Sequence, residues 1–251
     1  MYKYIYIEKP LAQSMADCDK MANIIERNNV SVAVGFYNDF LILTKNLDEI
    51  AKEHGMGKLL KISSQGGALC LSTNGAHFID LASVLFKSRP KEVLGKVNTT
   101  IKNPRGMDYL IYDGLGYVTY ENDKELLLSF NNRSLNSPEM VLHFEYGYIE
   151  ASHDSEYLRV MGFKSNSKDR PKYRCDRPVE LARINNNNDF NKLFDRIFYN
   201  LLNGGVYCSI DRAMQDMQVL LSILISDKIG RRLELPIRSD NYYYHEKFPI
   251  T

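Results

Sequence analysis

Apolar and polar positions alternate over short stretches at the start of the chain, then repeat at helical spacing, and the two rhythms take turns. Tyr2 to Ile7 is a run of aromatic and β-branched residues, which predicts a buried strand that Pro10 ends. Ser14, with Asp17 three positions on, predicts a capped helix start. Met15, Cys18, Met21, Ala22 and Ile25 then recur at helical spacing as far as Asn28 and Asn29. VSVAVGF at 30–36 predicts a second strand, and the helix between is long enough for the two strands to pair in parallel. Residues 38–54 predict another helix, with Leu41, Leu47, Ile50 and Ala51 on one face and Gly55 at its C-terminal cap. LLKIS at 59–63 predicts a strand, Gly66-Gly67 a turn or close backbone approach, and 76–86 an amphipathic helix.

From residue 91 to 165 the period of two takes over. Segments 91–101, 108–112, 116–120, 125–130, 139–150 and 157–163 read as strands of an antiparallel sheet, parted by Asn, Asp, Gly and Pro turns. Residues 164–188 are polar and predict a long surface excursion. Helices follow at 189–202 and 209–227, the second opened by Ser209, and the aromatic tail NYYYHEKFPIT is expected to pack down. The order predicts an α+β chain: a partial α/β start, then a large open, mainly antiparallel sheet with helices on one face.

Composition narrows the functions. The chain has 251 residues, 44% hydrophobic and 25% charged, which is enough to build a core and excludes disorder for most of its length. A formal net charge of +1 leaves no electrostatic footprint for nucleic acid or an anionic membrane. The longest apolar run, 219–225, is far short of the ~18 residues that span a bilayer. MYKYIYIEKP lacks the pattern of a secretory signal, and Cys18, Cys70, Cys175 and Cys208 are scattered with no CxxC pair. These point to a cytoplasmic protein whose thiols are reduced, apolar filler. His54, His143, His153 and His245 have no acidic or Cys partner at metal spacing, so no metal is expected.

Two clusters carry candidate chemistry. Glu8-Lys9-Pro10 directly follows the first strand, and strand ends are where open α/β sheets present ligand groups. Lys9 there can donate to an oxygen or act as a general acid; a solvated strand end carries the same residues for no such purpose. The second cluster runs GGALCLSTNGAHFID from Gly66 to Asp80. Its glycines allow backbone to approach a ligand. His77 and Asp80, three apart near a helix start, project to neighbouring positions, so that the Asp can orient a proton-exchanging His.

Taken in order, EKPLAQS, the VGF strand, HGMGK and then NGAHFIDL resemble the Gfo/Idh/MocA oxidoreductase family, over about residues 4–95. The resemblance implies an NAD- or NADP-dependent enzyme with a Rossmann domain and a sugar, cyclitol or nucleotide-sugar substrate on an open sheet. By it, Lys9 and His77 are catalytic with Asp80 as an orienting group, Glu8 and Pro10 shape the cofactor side, and Tyr37, Thr73 and Asn74 contact substrate. It further implies a division into 1–36, the end of a nucleotide-binding domain, and 37–251, a substrate-binding and oligomerisation domain. The short stretch before Gly66 resembles members acting on surface polysaccharides and nucleotide-sugars.

The sequence departs from that pattern at several points. Thr73 stands where the family carries an Asp four residues before its His, and Tyr37-Asn38-Asp39-Phe40 replaces a basic run. No G-x-G-x-x-G follows the first strand; Gly114-Leu115-Gly116 reads as a hairpin turn. The expectation is therefore a chain lacking most of the dinucleotide-binding half, completed by a homo-oligomer or a partner chain, with an unpaired edge on its first strand. A non-catalytic interaction or scaffold module is the alternative, and a hydrolase or lyase using His77 as base is a third. Residues 170–177 could hold nucleotide-sugar phosphates or be a solvated loop. Tyr109, Tyr112, Tyr117, Tyr120, Tyr146 and Tyr148 could stack on a sugar ring, though core packing is their commoner use.

Overall fold

β1 (Tyr4–Ile7) and β2 (Ser31–Val34) pair in parallel, Ile5 opposite Val32 and Ile7 opposite Val34, joined through α1 (Met15–Arg27). In this computed structural model the described residues are 4–67, 70–103, 106, 108–163, 177–185, 190–205 and 208–250. Ser14 caps α1 as its sequence predicts, its hydroxyl accepting from the Asp17 N–H at 3.1 Å. β1 differs from expectation in its burial. Tyr4 and Ile5 are 38% and 39% exposed, because among the described residues β1 has β2 as its single partner in a two-stranded sheet.

After β2 a short 3-10 turn (Asn38–Phe40) precedes α2 (Ile42–Glu53). The single helix expected over 38–54 is thus split at Leu41, whose ψ of 143° is extended. The break leaves Asn38 and Asp39 free of α2 to serve the site. β3 (Leu59–Gly66), one π-helical turn (Cys70–Asn74) and α3 (Gly75–Phe86) come next. The glycines after β3 do permit a close approach, but by the chain itself: a Cβ on Gly67 would fall 1.7 Å from the Ser134 carbonyl oxygen.

The main sheet adds β4 (Pro90–Lys102), β5 (Leu110–Tyr120), β6 (Glu125–Phe130), β7 (Glu139–Phe144), β8 (Gly147–Ser152), β9 (Tyr157–Gly162), β10 (Val179–Asn185) and β11 (Leu233–Glu234). With β3 they form nine strands in the order β10-β9-β8-β7-β3-β6-β5-β4-β11. Every pairing is antiparallel except β3 with β6. Segments 108–112 and 116–120 are one strand, and 139–150 is two, turning at Glu145-Tyr146. Part of the expected surface excursion is strand β10, which pairs with β9 along its length apart from a register shift between Glu180 and Ala182; residues 164–176 lie outside the described residues.

α4 (Phe190–Leu202) packs near β2, and α5 (Ile210–Ile229) lies across β4 and β5 beside α3. Ile62, Val118, Leu126, Leu142, Ile149 and Val160 from the sheet meet Phe78, Leu81, Leu220 and Ile223 from α3 and α5 in one apolar cluster that also takes in Met15, Val32 and Val34. At roughly 25 cal/mol per Å² of apolar surface removed from water, this cluster is the main stabiliser. The other face of the sheet carries the alternate positions, Leu115 at 44% exposed among them. The aromatic tail packs down as expected: Phe248 and Ile250 are buried, Phe248 N–H donates to the Gln13 carbonyl, and the Tyr244 hydroxyl donates to Asp19. Tyr112 and Tyr120 are core residues, Tyr120 edge-on to Phe86, whereas Tyr117 donates to Glu125 at 2.7 Å.

Candidate functional site

The C-terminal ends of β1 and β2 open next to the first turn of α3. Three segments converge there: Glu8-Lys9-Pro10 after β1, Phe36-Tyr37-Asn38 after β2, and Thr73 to His77. Lys9 Nζ donates to the Thr73 carbonyl at 3.2 Å, which ties the lysine to the turn leading into His77. The Lys9–Pro10 peptide is cis. Tyr37 and Asn74 keep partial exposure, whereas Thr73 is buried. Glu8 is exposed with its carboxylate near the Tyr6 hydroxyl, whose pKa it and burial push up.

His77 is enclosed by rings. Phe36 meets it edge-on at 5.7 Å between centroids, Tyr37 lies over it at 4.9 Å, and His153 stands edge-to-face at 5.5 Å. Burial, with the positive charges of Lys9 and His153 behind it, pushes the imidazole well below its ordinary pKa, so His77 is neutral at pH 7. Its Nδ1 is buried with no hydrogen-bond partner among the described residues. Left so, such an atom costs about 1–3 kcal/mol.

Asp80 does not orient that ring. Its carboxylate accepts from Asn38 Nδ2 at 2.7 Å and pairs with Arg212 Nε at 2.9 Å, and Arg212 also grips Asp39 through Nη1 and Nη2 at 3.1 and 2.5 Å. The physical reason is α5 and the residues just before it, which bring a guanidinium, Asp216 and the Cys208 thiol to the inner side of α3; an acid buried among them pairs with the cation rather than with a neutral imidazole. The link to the site is indirect: Asn38 Nδ2 donates at 2.8 Å to the His77 carbonyl as well as to Asp80. Asp216 accepts from Ser83 Oγ at 2.6 Å, and burial with the Asp80 charge pushes its carboxyl well up, which favours its protonated form. Asp80, Cys208 and Asp216 lie close enough to ligate a metal, but Arg212 already supplies the positive charge there.

Asn38, Asp39, Arg212 and His153 escape the sequence reading. Asn38 and Asp39 sit in the segment noted for its missing basic run; the basic group comes instead from α5, 173 residues away in sequence. His153 follows β8, and the sequence holds no signal that β8 ends beside α3. Free Cys18 and Cys208 are buried, burial raising both thiols. No helix among the described residues is long and apolar enough to cross a membrane.

No protein-family model matches the chain, and no curated protein matches it by sequence. Solved structures do. A levoglucosan dehydrogenase in complex with NADH and levoglucosan aligns with a TM-score of 0.70 at 15% identity, over 93% of this chain and 74% of that one. UDP-N-acetylglucosamine 3-dehydrogenase GnnA from Acidithiobacillus ferrooxidans aligns at 0.65 and 14%, over 89% and 70%. A super-repressor mutant of Gal80p from Saccharomyces cerevisiae aligns at 0.70 and 13%, over 92% and 72%. The fold is that of NAD-binding oxidoreductases.

Proposed function

We propose that the chain is the substrate-handling part of an NAD(P)-dependent oxidoreductase of the Gfo/Idh/MocA type, acting on a sugar, cyclitol or nucleotide-sugar in the cytoplasm. One observation carries this reading: the lysine of EKP and the histidine of NGAHFIDL, 68 positions apart, meet at one strand end, Lys9 bonded into the turn that precedes His77. Lys9 donates to the substrate oxygen and favours its ionised form, neutral His77 takes the hydroxyl proton, and Tyr37 and Asn74 hold the ring. Asp80 anchors α3 rather than joining the proton transfer.

A nicotinamide cofactor would supply the hydride acceptor. The described residues fit its reactive end and not its diphosphate. Lys9 and His77 would face that end, and Gly35 lets the two strand ends close up, a Cβ there standing 2.9 Å from both Glu8 Oε2 and Tyr6 Oη. The β1–α1 turn, residues 8–14, has no glycine, and Ser14 already caps the helix. The diphosphate would then rest on a second copy or a partner chain, laid against the edge of β1 that no described strand pairs. On this division 1–36 is the end of the nucleotide-binding unit and 37–251 the substrate unit.

Calorimetric titration of the chain with glucose, myo-inositol and UDP-glucose tests the reading. Binding of one of these, weakened about tenfold or more in both Lys9→Met and His77→Gln, is expected. Binding that both variants keep, or none at all, overturns it. A binding module is the second reading, and the Gal80p likeness together with Thr73 in place of a carboxylate favours it. It predicts that saccharide binds as described while NAD+ and NADP+ give no reduced nicotinamide at 340 nm under any reconstitution.

A further inference from the structure

His77 has contacts that its proposed role does not by itself explain. An imidazole that exchanges protons needs its ring held and its charge set, and no carboxylate does this among the described residues, Asp80 being engaged by Arg212 and Asn38. His153 stands in that place. It is fixed from three directions: its N–H donates to the Pro138 carbonyl at 3.3 Å, its ring packs on Phe78 at 5.1 Å, and both ring nitrogens lie 3.3–3.4 Å from the Tyr37 hydroxyl, whose own ring covers His77. The turn that carries it is set by Asp154, which accepts from Ser152 Oγ and the Glu156 N–H.

We propose that His153 is a positioning residue for His77: the two imidazoles, edge to face, hold at most one proton between them, and His153 takes it first, so that His77 stays the neutral, proton-accepting member. This rests on the oxidoreductase reading only for its purpose, not for its geometry. The charged groups about the pair support the order. Lys9, from the segment after β1, opposes a proton on either ring, and His153 opposes one on His77. Asp154, on the turn after β8, favours a proton on His153. Asp80 and Arg212 neutralise one another behind Asn38. Burial holds both rings below the ordinary histidine value, His77 furthest.

Long-range 1H–15N spectra of the histidine-labelled chain, followed from pH 8 to 4.5, test this without cofactor or saccharide, so its outcome is independent of the binding test above. The expected result is that His153 gains its proton at higher pH than His77, that His153→Phe raises the His77 midpoint by about one pH unit, and that Tyr37→Phe, which removes one hydroxyl, loosens His153 into two tautomers. His77 protonating before His153, or a His77 midpoint unmoved in a folded His153→Phe chain, overturns it. Should that variant not fold, the order of protonation in the unaltered chain decides.

Discussion

At the scale of single residues, the buried ionisable groups pull stability in opposite directions with pH. His77, His143 and His153 are all held below the ordinary histidine value, chiefly by burial. The unfolded chain therefore binds protons first as pH falls, and their contribution to stability is lost on acidification below about 6.5. Asp216 is raised by burial and by Asp80, so the folded chain is the better proton binder and the contribution is lost as pH rises from about 4. Asp216→Asn keeps an acceptor for Ser83 and a donor for Asp80. The variant is expected to melt above the parent at pH 7, with the gap closing towards pH 4; a gap independent of pH counts against the protonated assignment. Asp80→Asn, which strips Arg212 of one partner, is expected to cost about 3 kcal/mol in urea unfolding. Lys9 and His77 were legible in the sequence because each sits in a short motif at an element end. Asn38, Arg212 and His153 were not, since their roles arise from contacts 39 to 173 residues apart that no local pattern encodes.

At the scale of elements, what the sequence revealed was set by local chemistry. Ser14 and Ser209 announced α1 and α5 because a hydroxyl before an apolar repeat satisfies a free N–H, as both do here. Ser14→Ala is expected to cost about 1 kcal/mol, seen as a lower urea midpoint at unchanged slope. The break at Leu41 was hidden, because Leu41 fits the apolar face of a longer helix and departs from it only to let Asn38 and Asp39 reach α3 and α5. β10 was hidden for the opposite reason: VELARIN is an edge strand among the described residues whose two charges, Glu180 and Arg183, lie three apart and so break the period of two, as in a loop. The crossing of α5 over β4 depends on one missing side chain. A Cβ on Gly95 would fall 1.9 Å from the Ile223 carbonyl oxygen, and the Gly95 N–H donates to Ser226 Oγ at 2.9 Å. Gly95→Ala is therefore expected to destabilise by about 2 kcal/mol or more, with a melting temperature lowered by several degrees.

At the scale of the whole molecule, the change of period near residue 91 was enough to foresee a parallel start and a large antiparallel sheet, but not the order of its strands. Strand order is fixed by which apolar faces meet, and β3 fits equally well in isolation at an edge or a centre. Its place between β6 and β7, with Ile62 fully buried beside Leu126 and Leu142, makes it the middle of the core. Ile62→Ala is expected to cost about 2–5 kcal/mol, and Val179→Ala on the β10 edge under about 1, measured by urea unfolding. The same arrangement bears on how the molecule is made. While a ribosome is still extending the chain, LLKISSQG emerges with neither neighbour available, and its first one, at Leu126, follows Ile62 by 64 residues. Nascent chains halted before that point should leave this segment open to protease and chaperone, and those halted beyond Phe144 should close it.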